Sequence, residues 1–106
     1  MNCFHFTIET LISKGYNIPL KWEGLEYSTE KDKINMTPNF YIESKKLQDY
    51  IYSFTKKVDN AEKNDIIIHL KGLGIAINEY KFMTLTHFNI VKIFPILKSH
   101  VIRRVT

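Results

Sequence analysis

The chain of 106 residues carries a formal charge of +4, a single cysteine, and 44% hydrophobic against 25% charged residues. That length supports one hydrophobic core and hence a single domain over 1–106, and the balance is that of a folded globular chain rather than a disordered one. One cysteine excludes an internal disulfide and a cysteine-rich zinc site. No apolar run approaches the roughly 20 residues of a membrane span, and the N-terminus lacks the basic and apolar segments of a signal peptide, so no membrane contact and a cytoplasmic location are expected.

In chain order, Asn2 is a good N-cap for a first helix over 3–14, in which Phe4, Ile8, Leu11 and Ile12 form one apolar face and Gly15 is the stop. Cys3 then lies in the first turn, at the positive end of the helix dipole, where a thiolate is favoured. The plainer reading is a small buried apolar residue. Residues 16–42 hold Pro19, Gly24 and Pro38 without a sustained period and read as an irregular excursion with a short strand near Phe40–Ile42. Trp22 and Tyr27 in this excursion are candidates to line a binding groove, or simply to cover the core.

A second helix is expected from Ser44 as N-cap through Leu47, Tyr50, Ile51, Phe54 and Val58, with Asp59-Asn60 as its end. Thereafter the texture changes to β-branched runs at 66–70, 73–77, 81–85, 90–94 and 100–105, separated by Lys71-Gly72, Asn78-Glu79, Thr86-His87-Phe88-Asn89 and Pro95. Short connections between consecutive strands imply an antiparallel meander. The expected fold is thus α+β: two helices followed by a curved antiparallel sheet of about four or five strands.

A cysteine opening the first helix, then Asn64-Asp65-Ile66-Ile67-Ile68, Gly72-Leu73-Gly74-Ile75-Ala76-Ile77 and Lys81-Phe82-Met83-Thr84-Leu85, resembles the NlpC-type cysteine peptidases, especially their phage-tail branch. These papain-like enzymes cut cell-wall peptides. The resemblance spans Asn2 to about Ile96 and implies a papain-like core with Cys3 at the nucleophile position. It also sets Gly72 where the family carries its histidine base, and Thr84 near the residue that orients that base. Glycine has no side chain to take a proton, so the resemblance points first to a non-catalytic relative, a binding or inhibitory module that is phage-encoded if it follows that branch.

His69 is the one residue able to restore a dyad. With Leu70-Lys71 as a two-residue hairpin loop it pairs across from Gly72; with Lys71-Gly72 as the loop it opposes Gly74 and still uses the same face. Either register makes it the candidate base for Cys3, with Asn2 and the backbone N–H groups at the helix start as candidate oxyanion donors. Its plain reading is a polar residue on a strand face. His5 follows Cys3 by two residues and diverges from it on a helix, and no histidine spacing suits a metal. No Gly-rich phosphate loop precedes a helix, and no cofactor is expected.

Three function classes follow. The first is a non-catalytic module for a peptide or protein partner. The second is a cysteine peptidase or amidase acting on cell-wall peptides. The third is a basic protein for nucleic acid or an acidic protein partner, through the C-terminal strand with Arg103 and Arg104 together with Lys92 and Lys98.

Overall fold

The structure, a computed structural model, describes residues 3–19, 21–22, 25–26, 48–69, 72–86 and 90–106. Helix α1 covers Cys3–Ser13. Its stripe of Phe4, Ile8 and Leu11 is buried, as spacing of three and four residues requires of a helix lying on a core. Thr7 is buried beside them because its hydroxyl donates to the Cys3 carbonyl at 2.7 Å, leaving no polar group unsatisfied. At the C-terminal end, Gly15 takes φ +90, and the Tyr16 and Gly15 N–H groups bond back to Leu11 and Ile12. That is a Schellman motif, which closes the last carbonyls of the helix.

After α1 comes a two-residue ladder of β1 (Lys21–Trp22) with β2 (Leu25–Glu26). Residues 48–53 are helical and are labelled α2. Then follow β3 (Thr55–Lys57), β4 (Ile66–His69), β5 (Gly72–Ala76), β6 (Lys81–Leu85), β7 (Val91–Pro95) and β8 (Val101–Val105). They form one six-stranded antiparallel sheet in the order β3-β8-β4-β5-β6-β7.

The expectation of two helices followed by a sheet of four or five strands, papain-like in its core, is overturned. Among the described residues the molecule is mostly a six-stranded antiparallel sheet with two short helical stretches. The error begins at Phe54. The helical period of Tyr50, Ile51 and Phe54 continues on paper to Val58, but the chain turns there and Thr55–Lys57 becomes β3. The Thr55 hydroxyl donates to the Ile51 carbonyl at 2.7 Å, occupying an acceptor of the last helical turn, and the β3 backbone is taken up by β8. Val58 joins the opposite face of the sheet from Phe54. The expected strand at Phe40–Ile42 and the Ser44 cap lie outside the described residues.

Strand alternation sorts the core into two layers. Towards the helices, Ile66, Ile68, Leu73, Ile75 and Met83 meet Phe4, Ile8, Leu11, Tyr50, Ile51 and Phe54. On the far face, Ile67, Ala76, Phe82 and Ile102 close against Ala61, Val58 and Ile96. Complete burial of Ile8, Leu11, Ile66, Ile67 and Ile75 contributes about 1.5–3 kcal/mol each before the entropy of ordering is counted.

Gly74 sets the spacing inside the sheet. A β-carbon there would lie 2.5 Å from Cδ2 of Phe82 and 2.7 Å from the Met83 carbonyl oxygen, so glycine is what lets the ring lie flat on β5. Gly74→Ala should therefore lower the unfolding free energy by about 1–3 kcal/mol, read as a lower urea midpoint with unchanged slope.

Candidate functional site

Three of the residues singled out in the sequence meet around the start of β5. The Cys3 thiol of α1 packs directly against Gly72, occupying the space that a β-carbon on that residue would need. Gly72 also takes φ +150, a conformation that side-chain-bearing residues rarely adopt. His69 is its partner across the β4–β5 ladder, the first of the two expected registers.

His69 nevertheless leaves the sheet on the face away from α1. It follows Ile68, which packs towards the helices, and shares its face with Ile67 and Phe82. Its ring lies 5.2 Å from that of Phe82 and 6.1 Å from that of His100. The thiol thus meets Gly72 from α1, while the imidazole turns to Phe82 and His100. Thr84 is buried, and its hydroxyl donates to the Leu73 carbonyl at 2.7 Å, a structural bond that ties β6 to β5 beyond the last paired residues of that ladder.

The His69 pKa is lowered from 6.5. Burial dominates by disfavouring the imidazolium, the hydrogen bond to the Leu73 backbone opposes it, and nearby His100 adds to the lowering. Cys3 itself is half-buried and unpaired in any disulfide. A base for acyl transfer must reach the nucleophile's proton, and His69 lays its ring beside Phe82 and His100.

Of the remaining candidates, Trp22 is placed by the β1 backbone, whereas Asn2 and Tyr27 lie outside the described residues. The basic residues do not form one face. Arg103 and Arg104 alternate across β8, and β4, β5 and β6 separate that strand from Lys92 on β7. Arg103 bonds Thr55 Oγ1 and the Thr55 carbonyl, both at 3.0 Å, and its guanidinium lies 4.0 Å from the centre of the Tyr52 ring. Arg104 grips the buried Asp65 carboxylate through Nε at 2.9 Å and Nη2 at 2.8 Å. Asp65 accepts a further bond from the Glu62 N–H at 2.8 Å. Both arginines are therefore engaged in holding strands together.

The site that sequence reasoning missed is the outer edge of β7. All five residues of this strand are exposed, with Ile93 at 60%, Val91 at 48% and Phe94 at 41%. The cross-strand bonds Ile96 N–H to Tyr80 and Thr86 N–H to Ile90 fix the phase of the β6–β7 ladder. By alternation, Phe94 and Lys92 bond inward to β6, while Val91, Ile93 and Pro95 turn their backbone groups outward. The edge therefore offers the N–H groups of Val91 and Ile93 and the carbonyls of Val91, Ile93 and Pro95. No strand pairs with it among the described residues. The only signal in the sequence is that Val91, Ile93 and Phe94 put apolar side chains on both faces, whereas a half-buried strand alternates.

Among the described residues no group of acidic, histidine or cysteine side chains is arranged to hold a metal, and no helix is long and apolar enough to cross a membrane. No family model, curated protein or solved structure matches the chain.

Two outcomes follow from the Gly72 junction. Gly72→Ala should be destabilising, and less so in a Cys3→Ala background, because alanine removes the sulfur while the backbone strain persists. A double-mutant cycle on urea unfolding should give a coupling of about 1 kcal/mol or more. For His69, a pKa depressed in the folded state means that the unfolded chain takes up the proton first as pH falls. Stability is then full above about 6.5 and declines as pH drops from there towards the folded pKa. Urea midpoints taken over roughly pH 8 to 5 should fall more steeply in the wild type than in His69→Gln.

Proposed function

We propose that this chain is a non-catalytic association module that takes up an extended strand of another polypeptide along β7, and that Cys3 packs helix to sheet rather than attacking a substrate. The observation that carries this reading is the open β7 edge. Five consecutive residues are exposed there, four of them apolar, on a strand whose outward N–H and C=O groups have no ladder partner among the described residues. Backbone pairing of this kind supplies affinity through main-chain bonds and specificity through alternate side chains. The opposite edge is of a different character, since β3 presents Lys56 and Lys57 exposed, charges that discourage pairing.

The enzymatic reading finds less support in the geometry. A hydrolase of the NlpC type needs a base beside its thiol, and His69 stands on the other face of the sheet with Phe82 and His100. A nucleic-acid face is disfavoured by the engagement of Arg103 with Thr55 and of Arg104 with Asp65.

The test is selection from a displayed library of random extended peptides. Wild type and Cys3→Ala should retain a common set of sequences, and Ile93→Pro, which removes an outward N–H, should lose them while keeping its circular dichroism. Retention by Ile93→Pro, or loss on Cys3→Ala, would sink the proposal.

A further inference from the structure

The geometry points to a second copy of this chain as the strand that β7 receives, joined antiparallel about a two-fold axis through Ile93. The inference rests on the reading of β7 as a docking edge and adds the identity of its occupant. It comes from matching the donors and acceptors of the edge with themselves.

In a two-fold pairing centred on Ile93, that residue faces its own copy and Val91 faces Pro95. Both fall at hydrogen-bonding positions of the ladder: Ile93 exchanges two main-chain bonds with its copy, and Val91 and Pro95 share one. Each Ile93 N–H then meets the partner's Ile93 carbonyl, and each Val91 N–H meets the Pro95 carbonyl. Every outward donor is used. Proline, which has none to give, stands where only the Val91 carbonyl is left over.

The neighbouring registers are poorer. Centring on Lys92 sets two ammonium groups directly opposite each other, which is destabilising in an antiparallel pair. Centring on Phe94 sets Ile93 against Pro95 and carries Val91 past the end of the partner strand, which leaves its N–H without an acceptor on β7. Only the Ile93 register combines full use of the donors with Lys92 laid against Phe94 of the other copy, an apolar and aromatic neighbour for its stem and charge.

The side chains agree with that register. Val91, Ile93 and Pro95 lie on the helix-facing side, as the Met83–Ile93 pairing requires. Two copies would therefore align a continuous apolar strip of exposed residues across the joint. Helix α1 stands over β5 and β6 and leaves that strip accessible. The joint is isologous, so it closes on itself at two copies. The far edge cannot extend it, because β3 carries Lys56 and Lys57.

The experiment is sedimentation velocity across a concentration series, with cysteine cross-linking in a Cys3→Ala background. Wild type should show a concentration-dependent monomer–dimer equilibrium, and Ile93→Lys should remain a monomer with the urea midpoint of wild type diluted to its monomer, the site being exposed. Under mild oxidation Ile93→Cys should form a covalent dimer, since cross-strand partners about 5.5 Å apart lie within disulfide reach. Lys92→Cys should not. Cross-linking through Lys92→Cys rather than Ile93→Cys would overturn the register. A single monomer mass up to about 1 mM would overturn the inference of a second copy. If that monomer still selects peptides in an Ile93-dependent way, the docking edge stands without the dimer, and if it selects none, both fall.

Discussion

Helix α1 can lie where it does only because Gly72 has no side chain. The thiol of Cys3 rests in that gap, and the apolar stripe of Phe4, Ile8 and Leu11 is thereby brought down onto Ile66, Leu73 and Ile75. In a close-packed interior even one extra carbon is felt, so this contact sets the height of the helix above the sheet. The unusual backbone of Gly72 belongs to the same constraint: it begins β5 immediately after the hairpin that aligns His69 across from it. Helix position, hairpin register and the direction of His69 are three consequences of one junction.

The two faces of the sheet are held differently. The helix-facing layer is aliphatic and aromatic, with Phe4, Tyr50 and Phe54 in edge and tilted ring contacts. The far layer mixes aliphatics with the Phe82, His69 and His100 rings and is bordered by the Arg104–Asp65 pair. Asp65 is buried, so its charge is tolerable only with donors on both oxygens, and Arg104 together with the Glu62 N–H supplies them. That arrangement fixes the turn into β4 to β8, whose guanidinium lies 39 positions along the chain.

Much of this was legible in the residues themselves. The Phe4–Ile8–Leu11 spacing and Gly15 describe α1 and its end, and the β-branched runs from Ile66 onwards describe the strands, because period and turn chemistry are local signals. Strand β3 was not legible. Thr55–Lys57 lies inside a helical period and becomes a strand through β8, a partner that no local pattern can reveal. The same holds for the site. The pairing of His69 with Gly72 follows from hairpin length, but the side from which α1 approaches is a matter of tertiary packing. The Asp65–Arg104 pair has no spacing signature at all. The open edge of β7 leaves only a faint trace, the apolar residues at Val91, Ile93 and Phe94 on both faces.

The position of β8 also bears on how the chain folds. It is the last strand of the sheet in sequence, yet it lies between β3 and β4, and among the described residues β3 pairs with no other strand. β4 to β7 can pair as hairpins between sequence neighbours, whereas β8 reaches β3 and β4 only by closing long loops. Until that closure is made β4 has an unpaired flank, where Ile67 and Ile68 can be paired by another extended segment. The last strand of the chain is thus also the one that shields the middle of the sheet from its neighbours.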